Sequence, residues 1–192
     1  MKTVQMENAA RRQSRSRRPF SEEEPRLMKG NRRFAAGLVI ILAIILFDQL
    51  VKLWASTVLR EAPGQLLPFI PGFMDLRYMQ NTGAAFSLFS ESTWILGTIS
   101  AALAAVIVYF LWRGRSRPLL YTVALSFIAG GAIGNVIDRF RLGYVVDMLE
   151  FEFVRFAVFN VADSFVCVGA VLFAVYIIMS ADRPEKVEAR RE

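Results

Sequence analysis

Four apolar runs, each about long enough to cross a bilayer, restrict this chain more than any other feature. Residues 34–53, 93–112, 119–137 and 161–179 are almost continuously hydrophobic. A helix needs about 20 such residues to cross roughly 30 Å of hydrocarbon. Barrel strands would be shorter and would alternate, so helices are the only spanning structure available here. A chain of 192 residues fits one domain, and a 55% hydrophobic composition is too apolar for an ordinary soluble one. The first run is too long for the apolar core of a cleavable signal peptide, and a charged word follows it instead of a small-residue cleavage site.

Charge is segregated along the chain. Residues 1–33 hold ten of the lysines and arginines, and Arg113, Arg115 and Arg117 crowd one short connection. Arg183, Lys186, Arg190 and Arg191 lie in the tail. The other two connections are poorer for their length, with Arg60 and Arg77 in one and Arg139, Arg141 and Arg155 in the other. Cytoplasmic segments carry the excess of Lys and Arg. The expectation is an all-α membrane protein, a four-transmembrane-helix bundle with both termini inside and a small β element facing outward. Residues 1–33 read as a disordered basic cytoplasmic arm, 34–180 as the membrane domain and 181–192 as a cytoplasmic tail. The net charge of +6 is accounted for by these anchors, so nucleic acid is not expected as a partner. Membrane lipid is, because basic segments beside a bilayer attract anionic headgroups. The segment from Leu66 to Asn81 partly alternates and contains prolines, which reads as a short strand or hairpin at the outer surface.

The chain has no histidine and one cysteine, Cys167, set in an apolar run. Histidine-dependent triads and zinc sites are thereby excluded, and Cys167 reads as a small buried or lipid-facing hydrophobe. Acid–base work must fall to carboxylates or a lysine. Asp147 and Asp163 stand at the margins of apolar segments on the outer side, where an ionised carboxylate costs several kcal/mol unless paired or wetted. Two carboxylates at one depth share a proton and titrate as a unit, and one can activate water while the other protonates an amide. The bland reading of Asp163 is the first turn of a helix capped by Asn160.

Other polar words interrupt the apolar background. Asp48 and Lys52 sit one helical turn apart, which fits either a self-paired surface ion pair or a group that orients a neighbouring site. Asn81-Thr-Gly83-Ala-Ala-Phe suits a turn entering a helix, or an amide aimed at a ligand. Gly130, Gly131 and Gly134 make a close-packing helix face leading to Asn135, Asp138 and Arg139. Asp138 beside Arg139 reads as an architectural charge pair. Asn135, Asp138 and Asn160 could instead supply oxygens to a divalent cation beside the aspartates.

Taken in order, Asp48-Gln-x-x-Lys52, Asn81-Thr-Gly-Ala-Ala-Phe86, Gly130-Gly-Ala-x-Gly-Asn135-x-x-Asp138-Arg139, Gly143-Tyr-Val-Val-Asp147 and Phe159-Asn-Val-Ala-Asp163-Ser resemble bacterial lipoprotein signal peptidase, signal peptidase II. The likeness runs from about Phe34 to Ser180. It implies a membrane aspartic endopeptidase of the bacterial cytoplasmic membrane, needing neither metal nor cofactor. Such an enzyme cleaves prolipoproteins before a diacylglyceryl-modified cysteine at the outer face. On this chain the resemblance maps the catalytic pair onto Asp147 and Asp163. It maps substrate-binding or supporting positions onto Asp48, Lys52, Asn81, Gly83, Asn135, Asp138, Arg139, Asn160 and Ala162. It also implies an outward half-barrel of strands from segments 60–80 and 144–158, and a small helix. Met148 departs from the family, which usually has phenylalanine after the first aspartate, and the basic arm is longer than typical. A proton- or cation-coupled transporter using the same carboxylates is the rival reading, and a serine–lysine peptidase using Lys52 is a third. The oligomeric state is left open, with a monomer as the default.

Overall fold

The computed structural model describes residues 20–83 and 93–181. Helix α1 runs Phe20–Thr57, α2 Thr93–Arg113, α3 Leu119–Leu142 and α4 Val161–Ala181. Among the described residues these are the four helices long and apolar enough to cross a membrane. Helix α1 begins well before the apolar run at Phe34, so residues 20–33 of the expected disordered arm lie within a helix. Residues 1–19, the Ala84–Phe86 word and the tail beyond Ala181 lie outside the described residues.

The bundle is inside-out relative to a soluble protein. Val39, Leu42, Leu46 and Phe47 of α1, Trp94, Ile99 and Leu103 of α2, and Val171, Ile177 and Ile178 of α4 are all exposed. Apolar surface on that scale is stable only against lipid. Cys167 is likewise exposed on α4. The interior belongs to α3, which packs against each of the other three helices and keeps Ala124, Leu125, Ala129 and Gly130 buried. Glycines set how closely these helices approach. A Cβ on Gly131 would collide with the Ala162 carbonyl oxygen of α4, and one on Gly130 would stand 3.0 Å from the Ile44 side chain of α1. The expected small-residue face is therefore two faces, one for each neighbour.

Helix α3 continues past the apolar run to Leu142 and ends at Gly143, whose φ of 80° is a left-handed conformation natural to glycine. Asp138 and Arg139 thus occupy helix turns instead of opening a loop. The chain then enters a three-stranded antiparallel sheet in the order β1-β2-β3, with β1 at Leu66–Ile70, β2 at Met74–Asn81 and β3 at Val145–Phe151. The hairpin read from Leu66–Asn81 is present, and β3 joins it from far along the chain. Leu76, Tyr78, Val146 and Met148 pack beneath the sheet against Ala55, near the end of α1, and Leu59, just beyond it. Met148 is wholly buried there, its flexible thioether filling the space beneath the sheet. After β3 the chain folds back, and Phe159 exchanges backbone hydrogen bonds with Leu149 at 2.8 and 3.0 Å. That return sets the head of α4 beside β3.

Candidate active site

Asp147 stands mid-way along β3 and Asp163 in the first turn of α4. The return through Phe159 brings Asn160 between them. Its side-chain amide donates to Asp147 Oδ1 at 2.6 Å, and its side-chain oxygen accepts the Asp163 N–H at 2.9 Å. Asp163 Oδ2 reciprocates by accepting the Asn160 N–H at 3.3 Å. This is a capping box, in which each residue satisfies an amide that the helix cannot. The bland reading of Asp163 therefore holds, and holds together with a place in the cluster.

The second oxygen of each aspartate is also engaged. Asn81 Nδ2 donates to Asp147 Oδ2 at 2.9 Å. Register explains the contact: Asn81 pairs with Val145, two residues before Asp147, so the two side chains are diagonal neighbours on one face of the sheet. Asn81 Oδ1 also accepts the Gly83 N–H at 3.1 Å, closing the turn read from the sequence. Asn135 Nδ2, on α3, donates to Asp163 Oδ1 at 2.7 Å. Asp147 is 1% exposed, whereas Asp163 is half-buried.

Burial pushes the Asp147 carboxyl up to about 6. The Asp163 charge pushes the same way, while the Asn81 and Asn160 amides and the Lys52 ammonium oppose it. A carboxyl balanced so near neutrality can hold or release a proton under ordinary conditions, as acid–base catalysis requires.

Beneath the aspartates lies a buried ionic group. Lys52 Nζ is 2.9 Å from Asp48 Oδ2, 3.0 Å from Asp138 Oδ2 and 2.8 Å from Asn135 Oδ1. The surface-pair reading of Asp48 and Lys52 is overturned, since both are 3% exposed or less. The Asp138–Arg139 pairing is corrected too. Asp138 turns to Lys52 and to Gln49 Nε2, which donates to its Oδ1 at 2.9 Å. Consecutive residues on a helix point about 100° apart, so neighbouring side chains do not share a face. The candidate oxygen ligands for a cation are already occupied. Asn135 Oδ1 accepts from Lys52 and from Asn160, and both asparagines turn their amides toward the aspartates.

The charges of Asp163, Asp147 and Asp138 all act on Arg139. Its Nη1 reaches the Asn135 carbonyl at 3.5 Å, and its buried Nε has no acceptor among the described residues. Gly83 and Ala162 are both buried, and the Ala162 N–H donates to Asp48 Oδ1 at 3.0 Å. The eleven positions singled out in the sequence thus lie where the helix bundle meets the sheet. Gln49 was not singled out. The only signal for it was its place inside the Asp-Gln-x-x-Lys word.

Residues 40–179 match the model of the signal peptidase (SPase) II family. A lipoprotein signal peptidase from Streptococcus pyogenes serotype M5 (strain Manfredo) is 40% identical over 151 residues, covering 79% of this chain and 96% of that protein. The one from serotype M18 (strain MGAS8232) matches equally well. Among solved structures, one bacterial membrane enzyme aligns with a TM-score of 0.71 at 26% identity, over 80% of this chain and 94% of its own. A second aligns with a TM-score of 0.67 at 29% identity, over 74% and 92%. The four spans, the small sheet and the motif words agree with these likenesses, and the chain belongs to the signal peptidase II family.

Proposed function

We propose that Asp147 and Asp163 are the catalytic pair of this membrane aspartic endopeptidase. Its reaction is the removal of signal peptides from prolipoproteins. The observation that carries the assignment is the Asn160 bridge, which holds a buried strand carboxylate and a helix-head carboxylate to one side chain. With one proton between them, the ionised carboxylate takes a proton from water as its oxygen attacks the amide carbon. The protonated partner gives its proton to the carbonyl oxygen. Collapse of the tetrahedral intermediate then breaks the C–N bond as the amine leaves with a proton from the pair. Arg139, with a buried N–H free of any acceptor among the described residues, is suited to bind the substrate carbonyl as charge develops on its oxygen. The transporter reading finds no support in the family likeness. A serine–lysine mechanism would need a neutral lysine, and Lys52 is held by two carboxylates.

The substrate is a diacylglyceryl-modified precursor, cut before its lipidated cysteine at the outer face of the bacterial cytoplasmic membrane. Charge counting supports that side. The arginine-rich connection after α2, the start of α1 and the end of α4 share one end of the bundle, and the aspartates lie at the other. Aromatic surface supports a lipid partner there. Phe73 stacks on Phe153 at 5.3 Å, Phe153 and Phe156 join Phe151, and all three of Phe73, Phe153 and Phe156 are exposed. Exposed rings beside a spanning bundle suit the headgroup boundary. The test is a gel-shift assay on a diacylglyceryl-modified precursor, with Asp147→Asn and Asp163→Asn beside the unaltered protein. Both variants should fold, insert and fail to cleave. Turnover by either purified variant removes the assignment.

A further inference from the structure

Two buried carboxylates grip the chain just before each of the proposed catalytic aspartates. Asp138 Oδ2, on α3, accepts the N–H of Val146, the residue preceding Asp147, at 3.1 Å. Asp48 Oδ1, on α1, accepts the N–H of Ala162, the residue preceding Asp163, at 3.0 Å. The Ala162 N–H belongs to the first turn of α4, where no intrahelical acceptor exists. Lys52 stands between the two carboxylates and pairs with both, and its remaining donor goes to Asn135 Oδ1. An ammonium has three donors, so none is left over.

Close packing enforces the arrangement. A Cβ on Gly134 would stand 2.6 Å from Asp48 Oδ2 and 3.4 Å from the Ala162 Cβ. The glycine therefore leaves room for Asp48 to reach the α4 backbone. Gln49 closes the group from the side, donating to Asp138 Oδ1.

We propose that Asp48, Lys52 and Asp138 form a two-armed positioning clamp, in which one ammonium ties the backbone of the strand aspartate to the backbone of the helix aspartate. The inference rests on the assignment of Asp147 and Asp163 as catalytic. The three clamp residues act through those aspartates. Carboxylates that must share one proton tolerate little change in separation, and a misplacement of about 1 Å can cost about a hundredfold in rate. These two come from different elements, so the intervening loop alone does not define their spacing. The clamp does, by holding each backbone at the residue before the functional side chain. The charged groups facing Asp147 are Asp163 from α4, Lys52 from α1 and Arg139 from α3. Loss of the ammonium therefore also strengthens proton binding by Asp147.

The test uses the full chain in lipid nanodiscs with a diacylglyceryl-modified precursor. Lys52→Met breaks both arms, and Lys52→Arg keeps the charge. Asp48→Asn and Asp138→Asn each keep an oxygen for the backbone amide while weakening the tie to Lys52. The expected result for Lys52→Met is a loss of about a hundredfold in kcat with KM changed by less than about threefold. The alkaline limb of its pH profile should move upward, and Lys52→Arg should recover part of the rate. The Asp48→Asn, Asp138→Asn double variant should lose less than the product of the single losses, because both arms run through one side chain. Unchanged kcat and pH profile per folded molecule, with only thermal stability lowered, would overturn the clamp. If Lys52→Met does not fold, the aspartate variants decide by the same readouts. Activity in Asp147→Asn or Asp163→Asn removes the catalytic assignment itself. Inactivity of those two beside wild-type kcat in Lys52→Met removes the clamp alone.

Discussion

Asn160 donates its side-chain amide to Asp147 Oδ1 at 2.6 Å while capping the helix that begins at the next residue. One side chain therefore serves both helix stability and the spacing of two carboxylates, and substitution separates the roles. Asn160→Ala should lower stability by about 1 kcal/mol through the lost cap. Asn160→Ser restores a capping oxygen without an amide donor. We expect the serine variant to recover most of the thermal stability and little of the activity, as read by melting and precursor cleavage on one preparation. Recovery of both would confine Asn160 to capping.

The pH dependence follows from the raised Asp147 carboxyl. A pair that works with one proton loses activity when that proton leaves, so kcat/KM should be bell-shaped, with its alkaline limb near 6. Bound substrate excludes more water from the pair. The limb of kcat should therefore lie above that of kcat/KM. Stability follows the same sign. A folded-state value above the ordinary 3.8 favours the folded state fully below 3.8, and this contribution is lost as pH rises through about 6. Initial rates and melting temperatures from about pH 4 to about pH 9 test both, and a flat rate profile would count against the shared proton.

Arg139 offers the described site a buried N–H with no acceptor. Arg139→Lys keeps the positive charge and removes the planar fork. If the guanidinium meets the developing oxyanion, kcat should fall roughly a hundredfold while KM changes little. A rise in KM at constant kcat would assign Arg139 to ground-state binding instead.

Two glycines allow packing to be separated from chemistry. A Cβ at Gly131 meets the Ala162 carbonyl oxygen, beside Asp163, and a Cβ at Gly169 would stand 2.9 Å from the Ala124 carbonyl, deeper in the bundle. Each Gly→Ala change should cost about 1–3 kcal/mol of stability by overpacking. Only Gly131→Ala should also depress kcat, because it displaces the head of α4. Equal kinetic losses in both variants would show that α4 shifts as a whole.

Chelators supply a further check. The oxygens near the aspartates already accept from Lys52, Asn160 and backbone amides. Excess EDTA should leave precursor cleavage unchanged, and inhibition reversed by a divalent ion would call for a metal-dependent reaction.

Local spacing made a good part of this protein readable before any fold was known. Apolar runs of spanning length require helices, because lipid offers the backbone no other hydrogen-bond partners. The three-residue interval from Asn160 to Asp163 is the interval of a capping box, and Asp48 and Lys52 are neighbours at four. Each of these depends only on residues within a turn or so of one another. What Asp138 pairs with, that Lys52 is buried, and that Val146 and Ala162 are gripped from below depend on residues far apart in the chain. Those contacts exist because Gly131 and Gly134 let α3 approach α1 and α4 closely, and because Phe159 laces the return segment onto β3. Helical periodicity says which side chains share a face. Only tertiary packing decides which face meets which, and so which carboxylate receives the lysine.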